Sequence, residues 1–259
     1  MTDLESLRIL LVQIRTDAHV LAVERRAFVD FSGLKEDQIT TLDVFKYPDF
    51  PASLVEDYDA LMMGGLSDDA SDRIALPHSF HPIIDNLNGL MQQSIERQIP
   101  SLLSCGGFML ASLMLGARVI IDPDQAELGM YQINLTEQAK TDVLLGSLPP
   151  MFKAVSGHNK STVELPPNCI HLAYSERCQV HGFKVAGAPF YAFQFHPEIT
   201  CSDLEARLEA YKDKYFATEE GYQAFINMCD STEVANSIIT RFVALVGHRK
   251  QRSLSQKTN

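Results

Sequence analysis

Basic residues are scarce in this chain. Among 259 residues, 22 Lys and Arg face 33 Asp and Glu, for a formal net charge of −11. No positive field is available to gather nucleic-acid phosphates or an anionic bilayer surface, so neither partner is expected. Long apolar runs are missing too: none reaches the roughly 18 to 20 residues that a membrane helix needs. Residues 1–7 carry two acids and no base, which does not suit a secretory leader. CxxC pairs are absent, and the cysteines are odd in number: five, at positions 105, 169, 178, 201 and 229. That pattern argues against a disulfide framework or a zinc site, and for free thiols in a reducing, cytoplasmic compartment. No GxGxxG and no P-loop motif occurs, so dinucleotide and P-loop chemistry are excluded and no metal or cofactor is expected. Repeats, low-complexity tracts and linkers are also lacking. What remains is ordinary globular composition, 46% hydrophobic and 21% charged, read as a single domain over residues 1–259.

The first half alternates strand and helix signals. Residues 7–14 (LRILLVQI) form a continuous apolar, β-rich run, the mark of a strand buried on both faces of a parallel sheet. Residues 20–31 carry apolar positions at helical spacing and stop before Gly33, a suitable C-cap. Strands are expected over 39–45, 59–63 and 100–104, and helices over 80–98 and 108–115. The 59–63 strand is expected to turn at Gly64-Gly65. This order implies right-handed βαβ units with helices on both faces of the sheet. Strand-like segments then crowd together at 117–122, 130–136, 152–157, 170–175, 181–186 and 190–195, too close for crossover helices, which predicts antiparallel hairpins. Helical patterns return over 202–216, 219–229 and 232–246. The core is placed at about 7–200, a helical extension at about 201–247, and a frayed polar tail at 248–259.

Cys105 stands where a buried strand turns into a helix, followed by Gly106 and Gly107. A residue at such an elbow is exposed, the glycines let substrate and backbone approach, and the helix N-terminus favours a thiolate. The bland alternative is a small buried hydrophobe. The segment FQFHPE places His196 and Glu198 two residues apart at the end of an alternating strand, where i and i+2 project to one side. The carboxylate can then orient the imidazole. A thiol with an oriented base is the arrangement that nucleophilic acyl transfer requires. Backbone N–H groups at Gly64-Gly65, paired with that of Gly106, suit a developing oxyanion; the same glycine pair also fits a phosphate loop or a plain turn.

These features, in this order, resemble the class I (triad) glutamine amidotransferases. The resemblance rests on MMGG at 62–65, PSLLSCGG at 100–107, ELG at 127–129, SGHN at 156–159 and FQFHPE at 193–198. Within that family the chain is similar to stand-alone proteins akin to the amidotransferase domain of GMP synthase. The resemblance implies a flavodoxin-like three-layer α/β/α fold with a mixed, mostly parallel central sheet. It implies a triad of Cys105, His196 and Glu198, and an oxyanion hole from the backbone of Gly65 and Gly106. It places Glu127 and Gly129, and His158 and Asn159, at a glutamine pocket that also touches Gly64, Gly107 and Met109. The chain departs from the family elbow at Leu103, Phe108 and Met109, which points to weakened glutamine recognition or a shifted γ-glutamyl substrate. The implied reaction is hydrolysis of the glutamine carboxamide through a cysteinyl thioester, with ammonia passed to an acceptor on a synthetase partner chain. Two other readings stay open: a γ-glutamyl hydrolase or transpeptidase of the same fold, and a degenerate, non-catalytic binding subunit.

Other conspicuous residues read as structural. Asp68, Asp69 and Asp72 suit capping or solvation, and His78 and His81 flank a helix start. Cys169, Cys178, Cys201 and Cys229 lack a glycine elbow. The charged 202–216 segment reads as a solvated face, with a lid or homodimer surface as the other readings.

Overall fold

A computed structural model of the chain describes residues 4–66, 81–209, 218–226 and 230–257. Its centre is a nine-stranded mixed sheet. The apolar run near the N-terminus becomes β1 (Ile9–Ile14), buried at every position. Helix α1 (Ala18–Ser32) follows. Its start is set by Asp17, whose carboxylate accepts from the N–H groups of His19 and Val20, and its end by Gly33 at φ 69°. Then come β2 (Ile39–Asp43), β3 (Ala60–Leu66), α2 (His81–Glu96), β4 (Ser101–Ser104) and α3 (Gly106–Met114).

The second half supplies β5 (Val119–Ile121), β6 (Glu127–Leu135), β7 (Met151–His158), β8 (Lys160–Thr162), β9 (Cys169–Tyr174), β10 (Gly182–Val185) and β11 (Phe190–Phe193). The order across the main sheet is β2-β1-β3-β4-β11-β10-β9-β6-β7, with β5 and β8 forming a separate pair. The five strands from β2 to β11 run parallel, and the four beyond are joined antiparallel, as the short connections require. Chain order therefore brings β11, late in sequence, beside β4. That adjacency sets the segment after β11 next to the elbow after β4.

Alternate residues of the central strands feed two cores. Ile9, Leu11, Met62, Leu102 and Phe193 face α1 and the last helix, α6 (Glu233–Lys257). Leu10, Val12, Met63, Leu103 and Ala192 face α2 and α3. The result is three layers, the fold expected. Shorter helices α4 (Cys201–Glu209) and α5 (Glu219–Ile226) lie between β11 and α6 in the chain. Among the described residues no helix is long and apolar enough to cross a membrane.

Two local expectations fail. The strand over 59–63 does not turn at Gly64-Gly65; β3 runs through both glycines to Leu66 and stays buried. Side chains from α1 and from the residue just past β1 fill the space their Cβ atoms would take. Residues 248–257, expected within a frayed polar tail, are the helical end of α6. Ile238, Ile239, Phe242, Val243 and Val246 anchor its apolar stripe. Past that stripe, Lys250 Nζ donates to Ser6 O at 2.7 Å and to Asp59 Oδ2 at 2.8 Å. Asp68, Asp69, Asp72 and His78 lie outside the described residues, as do Cys229, the His81 side chain and the end of the 202–216 segment.

Candidate active site

β4 ends at Ser104 and α3 begins at Gly106, so Cys105 must make the whole turn. It does so at φ 47° and ψ −97°, a backbone conformation that costs a residue with a side chain of order 1 to 3 kcal/mol. The turn is held from both sides: Cys105 N–H donates to Phe193 O at 2.8 Å, and Cys105 O accepts from Met109 N–H at 3.0 Å. Gly106 is required by close approach, since a Cβ there would collide with the backbone of Gly65 and Leu66. The thiol is half-buried and lies 3.7 Å from Gly157 O.

β11 stops at Phe193, so His196 sits just beyond the strand rather than on it. A backbone bond from His196 N–H to Val155 O, 2.9 Å, fastens it to β7. Its Nδ1 lies 2.6 Å from Glu198 Oε1, and both side chains are buried. The Cys105 thiol is in interaction range of the same imidazole. Burial by itself would lower the His196 pKa; the Glu198 carboxylate and the Cys105 sulfur outweigh it and push the value up to about 9. The folded value therefore exceeds the unfolded one of about 6.5. The stabilisation from this charged imidazole is complete below about 6.5 and is lost as pH rises through about 9. Thermal melts across that window should show a steeper fall for the wild type than for His196→Gln; equal slopes would contradict a charged His196.

The C-terminal helix takes part in this corner. Asn236, buried on α6, donates through Nδ2 to Pro197 O at 2.7 Å and to Ile199 O at 3.3 Å, while its Oδ1 accepts from the Thr232 hydroxyl at 2.7 Å. It clamps the peptide between His196 and Glu198. Replacing Asn236 with Leu strands a buried carbonyl and should cost about 1 to 3 kcal/mol in urea unfolding. An unchanged midpoint would show that the clamp carries no stability.

A second group was not foreseen. Arg15, just past β1, donates through Nε to Glu24 Oε2 at 3.0 Å and through Nη1 to Leu66 O at 2.5 Å. Glu24, fully buried on α1, also accepts from Gly65 N–H at 3.2 Å and from Gln13 Nε2 at 3.3 Å. A Cβ on Gly64 would strike the Glu24 carboxylate, and one on Gly65 would strike the Arg15 guanidinium. The two glycines thus make room for a buried ion pair. Burial opposes the Arg15 charge, but Glu24, with smaller contributions from Cys105 and Glu198, raises its pKa. The pair sits within electrostatic reach of the thiol. In this arrangement the Gly65 N–H is committed to Glu24. The one sequence signal for the group was an acid on the apolar stripe of α1, four residues after Val20 and four before Phe28.

The remaining candidates divide. Glu127 and His158 are direct partners across the β6–β7 pair, as are Gly129 and Ser156. The side chains of Glu127 and His158 are buried and face each other and His181, so they turn away from solvent. Hydrogen bonds from His158, His181 and Ser175 outweigh burial and hold the Glu127 carboxyl far below the usual carboxylate range. Gly129 adopts φ 124°, which favours glycine. Asn159 is exposed, and its carbonyl accepts from Asp122 N–H at 3.2 Å. Gly107 lies close to Leu103 and Met63. Of the three departures at the elbow, Leu103 and Phe108 are core residues, the Phe108 ring packing tilted against Phe183 with centroids 5.3 Å apart. Met109 is half-buried in the first turn of α3.

Burial pushes Cys169 up to about 11 and Cys178 up to about 12, so neither is a ready nucleophile. Cys201 is engaged in a disulfide. This corrects the expectation that every thiol is free; tertiary proximity decides such pairing and leaves no mark in the flanking sequence.

Residues 40–212 match the family model of class-I glutamine amidotransferases. The glutamine-hydrolyzing GMP synthase subunit of Ignicoccus hospitalis is 29% identical over 143 residues, 55% of this chain and 68% of that one. The corresponding subunit from Pyrococcus abyssi is 31% identical over 114 residues, 44% of this chain and 58% of that one. The crystal structure of a glutamine amidotransferase from Thermotoga maritima aligns with a TM-score of 0.72 over 93% of this chain and 98% of that one, at 17% identity, a likeness of fold. Arg15, Glu24 and Asn236 all fall outside the matched residues 40–212.

Proposed function

The chain belongs to the class-I glutamine amidotransferase family, and on that premise we propose that it hydrolyses the glutamine carboxamide through a thioester on Cys105. The Cys105 thiolate attacks the carboxamide carbon, and the tetrahedral oxyanion is met by the N–H of Gly106. A second donor is the N–H of Gly65, once it exchanges Glu24 for the substrate; each such donor is worth about 3 to 4 kcal/mol. Collapse of the intermediate breaks the C–N bond, and His196 delivers a proton to the departing ammonia. His196 then takes a proton from water as the hydroxyl attacks the thioester. Glutamate leaves and the thiolate is restored. Glu198 keeps the imidazole oriented and charged where the cycle needs it.

The observation that carries this reading is the buried 2.6 Å contact of His196 with Glu198, with Cys105 on a strained elbow in range of the same ring. Family membership and the GMP synthase relatives support glutamine as substrate and a partner synthetase chain as the destination of ammonia. Met109, a thioether in the turn after Cys105, favours a second reading: cleavage of a γ-glutamyl amide other than free glutamine. Ammonia release from glutamine, compared with cleavage of γ-glutamyl peptides, separates the two.

Intact-mass measurement with a glutamine-like electrophile tests the nucleophile. One adduct is expected on the wild type and none on Cys105→Ala. Labelling at another residue, or no labelling with any γ-glutamyl compound, would sink the mechanism.

A further inference from the structure

We propose that His158, Cys178 and His181 bind a divalent transition-metal ion, with zinc as the fitting occupant, at a site separate from the Cys105 chemistry. One ring nitrogen of each histidine and the Cys178 sulfur lie within 4.8 Å of one another in the interior. His158 closes β7, Cys178 lies in the connection from β9 to β10, and His181 immediately precedes β10. Zinc held at about 2.0 to 2.3 Å from nitrogen and sulfur ligands spaces those ligands roughly 3.5 Å apart. Side-chain adjustments of about 1 Å close the cluster onto an ion.

Hydrogen-bond accounting points to a ligand. His158 Nδ1 lies 2.9 Å from Lys160 O; a carbonyl only accepts, so Nδ1 carries the proton. Its Nε2 makes a long contact with Glu127 Oε2, 3.4 Å, which a bound ion would replace. His181 Nε2 lies 2.7 Å from the same carboxylate oxygen and donates to it. That leaves His181 Nδ1 with a bare lone pair in a fully buried side chain, without a hydrogen-bond partner among the described residues. The unpartnered His181 lone pair is costly in a dry pocket without an electrophile, and beside it stand His158 and Cys178, whose thiol donates to Val180 O at 3.6 Å. The three are also the borderline-soft set that zinc prefers over magnesium or calcium.

Glu127 completes the arrangement. It accepts from His181 and from the Ser175 hydroxyl at 2.5 Å, as a carboxylate that orients a metal-bound histidine does. Binding releases the Cys178 proton to solvent and forms a metal–thiolate bond. Thiolate and carboxylate together then match the charge of a divalent ion. The residue before His158 is Gly157, whose carbonyl contacts the Cys105 thiol. An ion at the cluster would therefore fix the strand end that borders the candidate active site.

The test is titration of the full-length, chelator-treated protein with cobalt(II), a spectroscopic substitute for zinc. Wild type is expected to bind one equivalent with a sulfur-to-cobalt charge-transfer band that zinc then removes. Cys178→Ser should abolish the band, and Cys105→Ala should retain it. His158→Gln should weaken cobalt binding at least tenfold, and stands in if circular dichroism shows Cys178→Ser to be unfolded. No band in folded wild type, a band surviving in folded Cys178→Ser, or unchanged affinity in His158→Gln overturns the proposal. None of these outcomes bears on glutamine hydrolysis, which is read separately through Cys105 labelling.

Discussion

Cys105→Ala is expected to lower glutamine hydrolysis by about 10⁴-fold or more, to the level left by binding and oxyanion contacts alone. Alanine keeps the small size the elbow demands and should leave the fold intact, because the two backbone bonds at residue 105 do not involve the sulfur. In the proposed mechanism Cys105 and His196 act as a unit, so adding His196→Ala to Cys105→Ala should cost little more. Steady-state ammonia release, with unfolding curves to verify the fold, checks both points. Activity in Cys105→Ala above about one hundredth of wild type would remove Cys105 from the mechanism. A wild type that neither turns over nor labels would favour the non-catalytic binding reading.

Glu24→Ala is expected to destabilise the protein by about 3 to 5 kcal/mol. It leaves the Arg15 guanidinium uncompensated in a site where only about a tenth of the side chain is exposed, and it strips the Gly65 N–H of its acceptor. The cost should be coupled: replacing Arg15 with Met in the same background recovers much of it, since it removes the lone buried charge. A double-mutant cycle by urea unfolding reads this coupling. A loss below about 1 kcal/mol for Glu24→Ala would mean that the pair is screened by water. The cycle also has a kinetic reading. Glu24 holds the N–H proposed for the oxyanion, so in a folded Arg15→Met/Glu24→Ala protein kcat should change more than KM.

The strand–elbow–helix around Cys105 was legible because every signal for it is local: an apolar run, a cysteine, two glycines, an apolar helix. The His196–Glu198 pair was legible for the same reason, two residues apart with a proline between them. The three-layer fold followed from alternation of strand and helix patterns, and α1 was read nearly to its caps from Gly33 and its periodicity. Other features left no comparable trace. Gly64 and Gly65 read as a turn because glycine usually serves turns; here they make room for Arg15 and Glu24, which sequence distance hides. The 248–259 tail read as frayed because it lacks apolar periodicity; its helix is anchored upstream by Phe242 and Val246 and tied down by Lys250. His158, Cys178 and His181, whose spacing carries no motif, converge from two separate segments.

The division between the two levels has one physical origin. Backbone geometry and side-chain direction depend on a few neighbouring residues, so the Cys105 elbow and the His196–Glu198 pairing could be expected from the chain alone. Which groups meet depends on strand order and helix packing, where contacts join residues far apart in sequence. Only the placement of β11 beside β4 brings His196 to Cys105, and only the return of α6 sets Asn236 on Pro197. Only the packing of α1 on β1 and β3 seats Glu24 under Gly65. Those contacts are selected by burial, which rewards a matched charge or a satisfied carbonyl wherever in the chain its partner happens to lie.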